Sequence, residues 1–383
     1  MFLDVVRRRN PKLIDVAKML HQTGQILPDT YVLDLDNIQA NAAVMKQQAD
    51  ESGIELFYMT KQLGRNPLVA KAIRTAGIDK AVVVDYKEAL VMIDNDLPIG
   101  NVGHLVQIPI HLLKKIVAHQ PDYITVYSLE MLKNIDCVCR ELGCKQRILV
   151  KILEADDQIY EGQYGGFHLA DLPELIHAYQ TMEHVELAGL TSFPCFLFDG
   201  EEDLVPTHNV ESIRKAKALF AENGIDQLEL NIPSATCVRT IPFIKELGGT
   251  QGEPGHALTG STPLHAKLDL PELPAMVYVS EISHSLDKHS YFYGGGYYRR
   301  GHLENILVDG TEERLDRMIP FSAENIDYYL QAEQEHEVGA TVIAAFRTQI
   351  FVTRSDVAVV SGIQSSSPKL EGIFDSQGNR IRR

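Results

Sequence analysis

Lys61 lies in the segment YMTKQLGRNP (58–67), directly after the apolar run around Leu56 and Phe57. A lysine at the end of a buried strand is partly desolvated and can lose its proton well below its free pKa of about 10.4. The neutral amine is a nucleophile whose natural partner is an aldehyde, so Lys61 is a candidate for holding a carbonyl cofactor as a Schiff base. The plainer reading is a strand-end lysine that sends its ammonium to solvent. The Schiff-base reading asks for a phosphate site on the late strands, and two segments offer one. In NIPSATCV (231–238), Ser234 and Thr236 follow a strand and precede a short helix, where hydroxyls suit an anion, although an ordinary helix cap has the same appearance. In GEPGHALTGSTP (252–263), glycines at 252, 255 and 260 allow backbone N–H groups to approach a ligand closely.

A third cluster is HSYFYGGGYYRRGH (289–302). Tyr297 or Tyr298 has the chemistry of an acid/base, and Arg299 or Arg300 that of a bidentate carboxylate ligand. The alternative is a glycine-rich hairpin whose tyrosines only pack. His284 and His289 lack a matching cysteine–histidine pair, so no metal is expected. His104 ends a strand and reads either as a pocket residue or as a core histidine. Cys137, Cys139 and Cys144 share one predicted helix without metal-type spacing, and read as reduced thiols.

These groups need a scaffold that brings distant segments together. Apolar runs alternate with amphipathic ones: YVLDL (31–35), ELFYMT (55–60), KAVVV (80–84), NVGHLV (101–106), YITVY (123–127), RILVKIL (147–153), VELAGLT (185–191) and LELNI (228–232). Between them, Asp36, Asn66, Asp85 and Ser128 stand where helices should be capped, and Gly77, Gly143 and Gly224 where they should stop. About eight strand–helix units between Pro28 and Pro263 predict a parallel sheet of TIM-barrel size. Active-site groups then gather at the C-terminal strand ends, with Lys61 after the second strand. A doubly wound sheet competes, but GxGxxG is missing after the first strand. From Leu268 onward the texture turns to strands without helices between them. The predicted division is an N-terminal helical extension (1–27), a barrel (28–265) and a mainly-β C-terminal domain (266–383).

The 383 residues are 45% apolar and 23% charged, ordinary for a globular protein. A formal charge of −16 argues against nucleic acid or anionic membranes as partners, and no run of apolar residues is long enough to span a bilayer. No signal-peptide pattern follows Arg7–Arg9, which leads to an expectation of a cytoplasmic protein.

The combination of YVLDLDNIQANAAVMK, a strand ending in lysine, Ser/Thr after the last of the eight predicted strands, and EPGHALTG resembles the alanine-racemase-like group of fold type III pyridoxal phosphate proteins. With FYGGGYYRRG added, the chain is most similar to the YhfX-like branch of that group. The resemblance implies a (β/α)8 TIM barrel of alanine racemase type with a C-terminal β domain, and pyridoxal 5'-phosphate as cofactor. It implies that Lys61 forms the Schiff base, and that Ser234, Thr236 and the backbone at Gly255 and His256 hold the phosphate. It also implies that Glu253 faces the pyridine nitrogen, where alanine racemases carry an arginine and the decarboxylases of the fold a glutamate. A carboxylate there favours the pyridinium and a stronger electron sink. The cysteine–aspartate motif of those decarboxylases is missing, Ser192 replaces a racemase histidine, and YEGQYGGF offers no arginine for a substrate carboxylate. The implied function is an amino-acid racemase or epimerase acting by Cα proton abstraction. Its rivals are a lyase or decarboxylase on the same cofactor and a non-catalytic pyridoxal phosphate carrier. The implied assembly is a homodimer with a small amino-acid substrate, in which Tyr298 or Tyr297 serves as the second acid/base.

Overall fold

The computed structural model describes residues 2–201, 203–322 and 324–381. The outer limits of the predicted division, Met1 and Arg383, fall outside them. The chain divides into two compact units, one formed by Ala43–Thr60 and Gly77–Gly255, the other by Met1–Ala42, Lys61–Ala76 and His256–Arg383.

The first unit is a closed barrel of eight parallel strands. In chain order they are Glu55–Met59, Lys80–Val83, Ile99–Val102, Tyr123–Val126, Gln146–Lys151, Val185–Thr191, Glu229–Asn231 and Gln251–Gly252. Closure comes from Gln251 pairing with Glu55 on one side and Asn231 on the other. Phe57, Met59, Val82, Tyr123, Leu149 and Ala188 form an apolar plug. Because side chains alternate along a strand, Leu149 inward places Lys151 inward, and Tyr123 does the same for Thr125 and Tyr127. Helix starts follow the sequence signals. Asp85 accepts from the Glu88 amide at 2.8 Å and Ser128 from the Met131 amide at 3.3 Å.

The barrel differs from expectation in its first strand. Thr30–Asp34 lies in the other unit, antiparallel to Met276–Leu286 (Tyr31 opposite Tyr278) and parallel to Asp356–Ser361 (Tyr31 opposite Val357). The barrel therefore starts at Glu55, its eighth strand is Gln251–Gly252, and Lys61 follows the first strand, not the second. The boundary at 28 is corrected accordingly. A strand buried on both faces carries the same apolar signature in either sheet, so composition alone could not place it. The following helix, Leu35–Ser52, is started by Asp34, whose Oδ1 accepts from the Asn37 amide at 3.2 Å. Asp36, the expected cap, lies one residue inside the helix.

The second unit is built on a ten-stranded sheet. Its strands include Met276–Leu286, His289–Tyr293, Thr341–Ala344 and Asp356–Ser361, all after Leu268, where strands were expected. His289–Tyr293 pairs both with Tyr329–Ala332 and with Met276–Leu286, so part of the sheet returns on itself. The N-terminal segment is not an appendage. Helices Phe2–Arg9 and Pro11–Gln22 bury Leu3, Leu13, Ala17 and Leu20 in one core with Val32, Val277, Ile343 and Val360. In the same unit Asn66 caps Pro67–Thr75, accepting from the Leu68 and Val69 amides at 3.0 and 3.2 Å. The sharp turn after Lys61 needs Gly64, which has φ +67 and lies so close to Val357 and Ile350 that a Cβ would come within 3.0 and 3.1 Å of their methyl groups. No helix among the described residues is long and apolar enough to cross a membrane.

Leu13 is fully buried between helix and sheet. Leu13→Ala is expected to lower stability by about 2–5 kcal/mol, read as a shift of the urea unfolding midpoint.

Candidate active site

The barrel unit places a ring of polar side chains above the apolar plug. Glu253, just after the eighth strand, is buried with its Oε1 accepting from Asn231 Nδ2 at 3.0 Å and Asn101 Nδ2 at 3.4 Å. Thr191 Oγ1 donates to Asn231 Oδ1 at 2.8 Å, and Thr125 Oγ1 donates to Asn101 Oδ1 at 2.8 Å. These hydroxyls orient the two amides so that their N–H groups face the carboxylate. Donors aimed at a carboxylate favour its charged form. His104 is fully buried, with Nε2 3.7 Å from Glu253 Oε2 and its ring edge-on to Phe193 at 5.6 Å.

The phosphate candidates of the barrel unit are placed differently from one another. Thr236 Oγ1 accepts from the Glu253 amide at 3.0 Å, so it sets the backbone that carries the carboxylate. Ser234 turns onto Phe196, accepting from its amide at 2.8 Å and donating to its carbonyl at 3.0 Å. Ser234 and Ala235 adopt φ of +103 and +47, a conformation that non-glycine residues rarely hold and that clusters at functional sites. The helix expected after Thr236 begins only at Ile241, so the hydroxyls do not sit at its N-terminus. Gly255 is buried and ends the barrel unit.

Ser192 is buried at the end of the sixth strand, its Oγ accepting from Asn209 Nδ2 at 2.9 Å. Asn209 also holds the backbone N–H and C=O of Gln158, both at 3.0 Å. One amide thus ties the loop after the fifth strand to Ser192. Thr60, which precedes Lys61, donates to Glu88 Oε1 at 2.5 Å, and Glu88 Oε2 accepts from the Val84 amide at 2.7 Å.

In the second unit, Lys61 opens a short 3-10 turn, Lys61–Leu63, and is buried. Burial first, then the charges of Arg347 and Lys61, hold the His256 imidazole well below its usual pKa, so it is neutral. Its Nδ1 is buried with no hydrogen-bond partner among the described residues. His265 is itself buried against Glu272, Nε2 to Oε2 3.4 Å.

The YGGGYYRRG cluster is largely explained by packing. A Cβ on Gly295 would meet Asp29 Oδ2 at 1.9 Å, and one on Gly296 would meet Ser355 Oγ at 2.3 Å. Arg299 pairs with Asp327 Oδ1 at 2.9 Å and donates to the carbonyls of Ser322 (2.7 Å) and Asn325, which pins that loop. Tyr297 sits edge-on to Phe346 at 6.3 Å, and burial raises its phenol pKa. Tyr298 directly precedes the turn Arg299–Gly301 and is half-buried. Arg300 is exposed. Among the described residues no group of three or more His, Cys, Asp or Glu side chains could share a metal ion, and all five cysteines are free.

Asn101, Asn231, Thr125, Thr191 and Lys151 escaped sequence reading. Their signal was available as polar residues inside or at the ends of otherwise apolar strands, which is where a barrel collects its chemistry.

Comparison with known proteins agrees over the whole chain. Residues 33–263 match the model of the alanine racemase N-terminal domain, and residues 277–370 that of the YhfX-like C-terminal domain. Uncharacterized protein YhfX of Escherichia coli (strain K12) is 43% identical over 385 residues, covering 100% of both chains. Among solved structures, alanine racemase of Clostridium difficile 630 superposes with a TM-score of 0.65 at 18% identity, covering 92% of this chain and 99% of its own. D-threonine aldolase from Filomicrobium marinum gives a TM-score of 0.67 at 14% identity, covering 91% and 94%. At these identities the solved structures speak for the fold alone.

Asn231→Leu removes the nearer donor to Glu253 and the acceptor of Thr191. A buried carboxylate left short of donors costs about 1–3 kcal/mol, which urea unfolding will report. Combining it with Glu253→Leu should recover part of that loss.

Proposed function

Because the chain belongs to the family of the alanine racemase N-terminal domain, carrying a YhfX-like C-terminal domain, we propose that it is a pyridoxal 5'-phosphate enzyme that removes the Cα proton of an amino acid, with racemisation or epimerisation as the outcome. The observation that carries this reading is the Glu253 carboxylate, held at the end of the barrel by Asn101 and Asn231. The donor set suits the cofactor. Glu253 offers an acceptor for a protonated pyridine nitrogen, and His256 Nδ1 is a buried polar atom without a protein partner among the described residues.

In this reading Lys61 holds the cofactor through its Nζ and later moves the substrate's Cα proton on that same atom. Glu253, oriented by its two amides, would face the pyridine nitrogen and hold a proton there. Thr236 positions Glu253 through its main chain. The backbone at Gly255 and His256, with Ser234 and Thr236, takes the phosphate; Ser234 acts there through the strained turn it shares with Ala235. When bound, pyridoxal phosphate supplies the electron sink for the carbanion at Cα. Tyr298 or Tyr297 supplies the second acid/base, within a homodimer whose C-terminal units complete each other's sites. A lyase or decarboxylase would use the same sink, and a carrier would bind the cofactor without turnover.

The protein as purified, or after incubation with pyridoxal phosphate, is expected to be yellow, and borohydride should fix the label on Lys61 in a peptide map. Label on another lysine would contradict the assignment. An amino-acid panel in deuterated water then separates the readings. Cα exchange without loss of substrate supports racemisation, release of ammonia or CO₂ supports the lyases, and no exchange with any amino acid favours the carrier.

Glu253→Gln should still take the label on Lys61 while Cα exchange falls by about two decades, a barrier increase of about 2.7 kcal/mol. Unchanged exchange would remove Glu253 from the pyridine nitrogen. Light scattering tests the dimer: a monomer with full activity would exclude shared sites.

A further inference from the structure

Lys151, the last residue of the fifth barrel strand, is 1% exposed although it carries an ammonium. Inside the barrel its Nζ lies 3.4 Å from Tyr127 Oη, 3.4 Å from the Gln163 carbonyl and 4.4 Å from the centre of the Tyr127 ring. Tyr127 donates its own proton to the His104 carbonyl, so toward Lys151 it can only accept. Burial raises the Tyr127 phenol pKa, which excludes a phenolate counterion. Nor does any carboxylate among the described residues act on Lys151: its pKa is lowered to about 8 by burial. The nearby acids are engaged elsewhere. Asp157 accepts from Ser212 at 2.7 Å and pairs with His208 at 2.9 Å, and Glu154 accepts from the Leu169 amide at 2.5 Å.

A buried lysine of this kind is costly to charge and is therefore rare without a partner. Here two long contacts at 3.4 Å use two of its three N–H groups. The surroundings are also shaped for close approach. Gly165 and Gly166 hold φ of +139 and +144, where a Cβ would meet Tyr127 Cδ2 at 2.6 Å and the Lys151 carbonyl at 3.0 Å. Through Tyr127 and His104, Lys151 is linked within the same unit to Glu253.

We propose that Lys151 receives the carboxylate of the substrate amino acid, with Tyr127 and the Gln163 carbonyl orienting its ammonium. This rests on the pyridoxal phosphate reading above. An arriving carboxylate supplies the counterion that no described residue does, and it holds the proton on Nζ. Tyr127 and Gln163 act as positioning groups, and the chain's specificity for carboxylate-bearing amines follows from the pair that forms.

The test uses two alkoxyamines that differ by a carboxylate, aminooxyacetate and methoxyamine. Each would exchange with Lys61 at the cofactor's imine carbon: the C=N bond to the alkoxyamine nitrogen forms as the C=N bond to Lys61 breaks, and the two hydrogens lost by the alkoxyamine nitrogen leave on the Lys61 amine. The loss of the holoprotein's visible absorbance reports the rate without any turnover. Normalised to reaction with free pyridoxal phosphate, the wild type should favour aminooxyacetate. Lys151→Met should slow aminooxyacetate about 10- to 100-fold, the range of one charge-assisted hydrogen bond, and leave methoxyamine within about twofold. Lys151→Gln should behave as Lys151→Met, and Lys151→Arg should keep part of the preference. An equal slowing of both probes, or a preference that survives in both neutral variants, overturns the assignment. A wild type that takes up no pyridoxal phosphate refutes the underlying reading instead, so the two failures are distinct.

Discussion

A carboxylate enclosed at the end of a barrel must be satisfied from within, and much of the barrel unit follows from doing so for Glu253. Two asparagines supply the donors, and each asparagine is held in turn by a threonine from a neighbouring strand. The arrangement spends four strands of the barrel on the orientation of one charge. Apolar residues of the same volume would fill this space with less desolvation. The retention of polar groups across adjoining strands sets that end of the barrel apart from the apolar plug.

The barrel interior is thereby split into two levels. Phe57, Tyr123, Leu149 and Ala188 form a plug that contributes stability through burial. Two residues further along the same strands, Thr125 and Lys151 replace the apolar side chains. The period-2 alternation of a strand keeps the two levels on one face, so a substitution in the plug and one in the polar level have separate consequences. Loops then complete the polar level. Asn209 joins the Gln158 backbone to Ser192, and Ser234 joins the strained turn after the seventh strand to Phe196.

The second unit uses its unusual residues mainly for packing. Glycines 295 and 296 let the backbone pass Asp29 and Tyr278 at distances that no side chain would allow. Arg299 holds three groups of one loop, which takes it out of consideration as a carboxylate ligand. A cluster of tyrosine and arginine beside glycines therefore has a structural explanation as strong as its chemical one.

The amino-acid sequence by itself determined the class of architecture, several helix boundaries and the motif positions. Strand-length apolar runs separated by capped helices have few compact solutions, and caps at Asn66, Asp85 and Ser128 act through hydrogen bonds only two or three residues away. Lys61 was legible because a charge beside a buried strand is conspicuous in one dimension, whereas Glu253 was legible only through the resemblance carried by EPGHALTG, its strand Gln251–Gly252 having given no signal of its own. Tertiary structure alone decided that Thr30–Asp34 belongs to the ten-stranded sheet, that the N-terminal helices complete its core, and that Asn101, Asn231 and Lys151 share the barrel with Glu253. Those outcomes depend on pairing between residues far apart in the chain. A strand's own composition records that it is buried, but not which neighbour buries it, and a polar residue in an apolar run does not name its partner until the barrel closes.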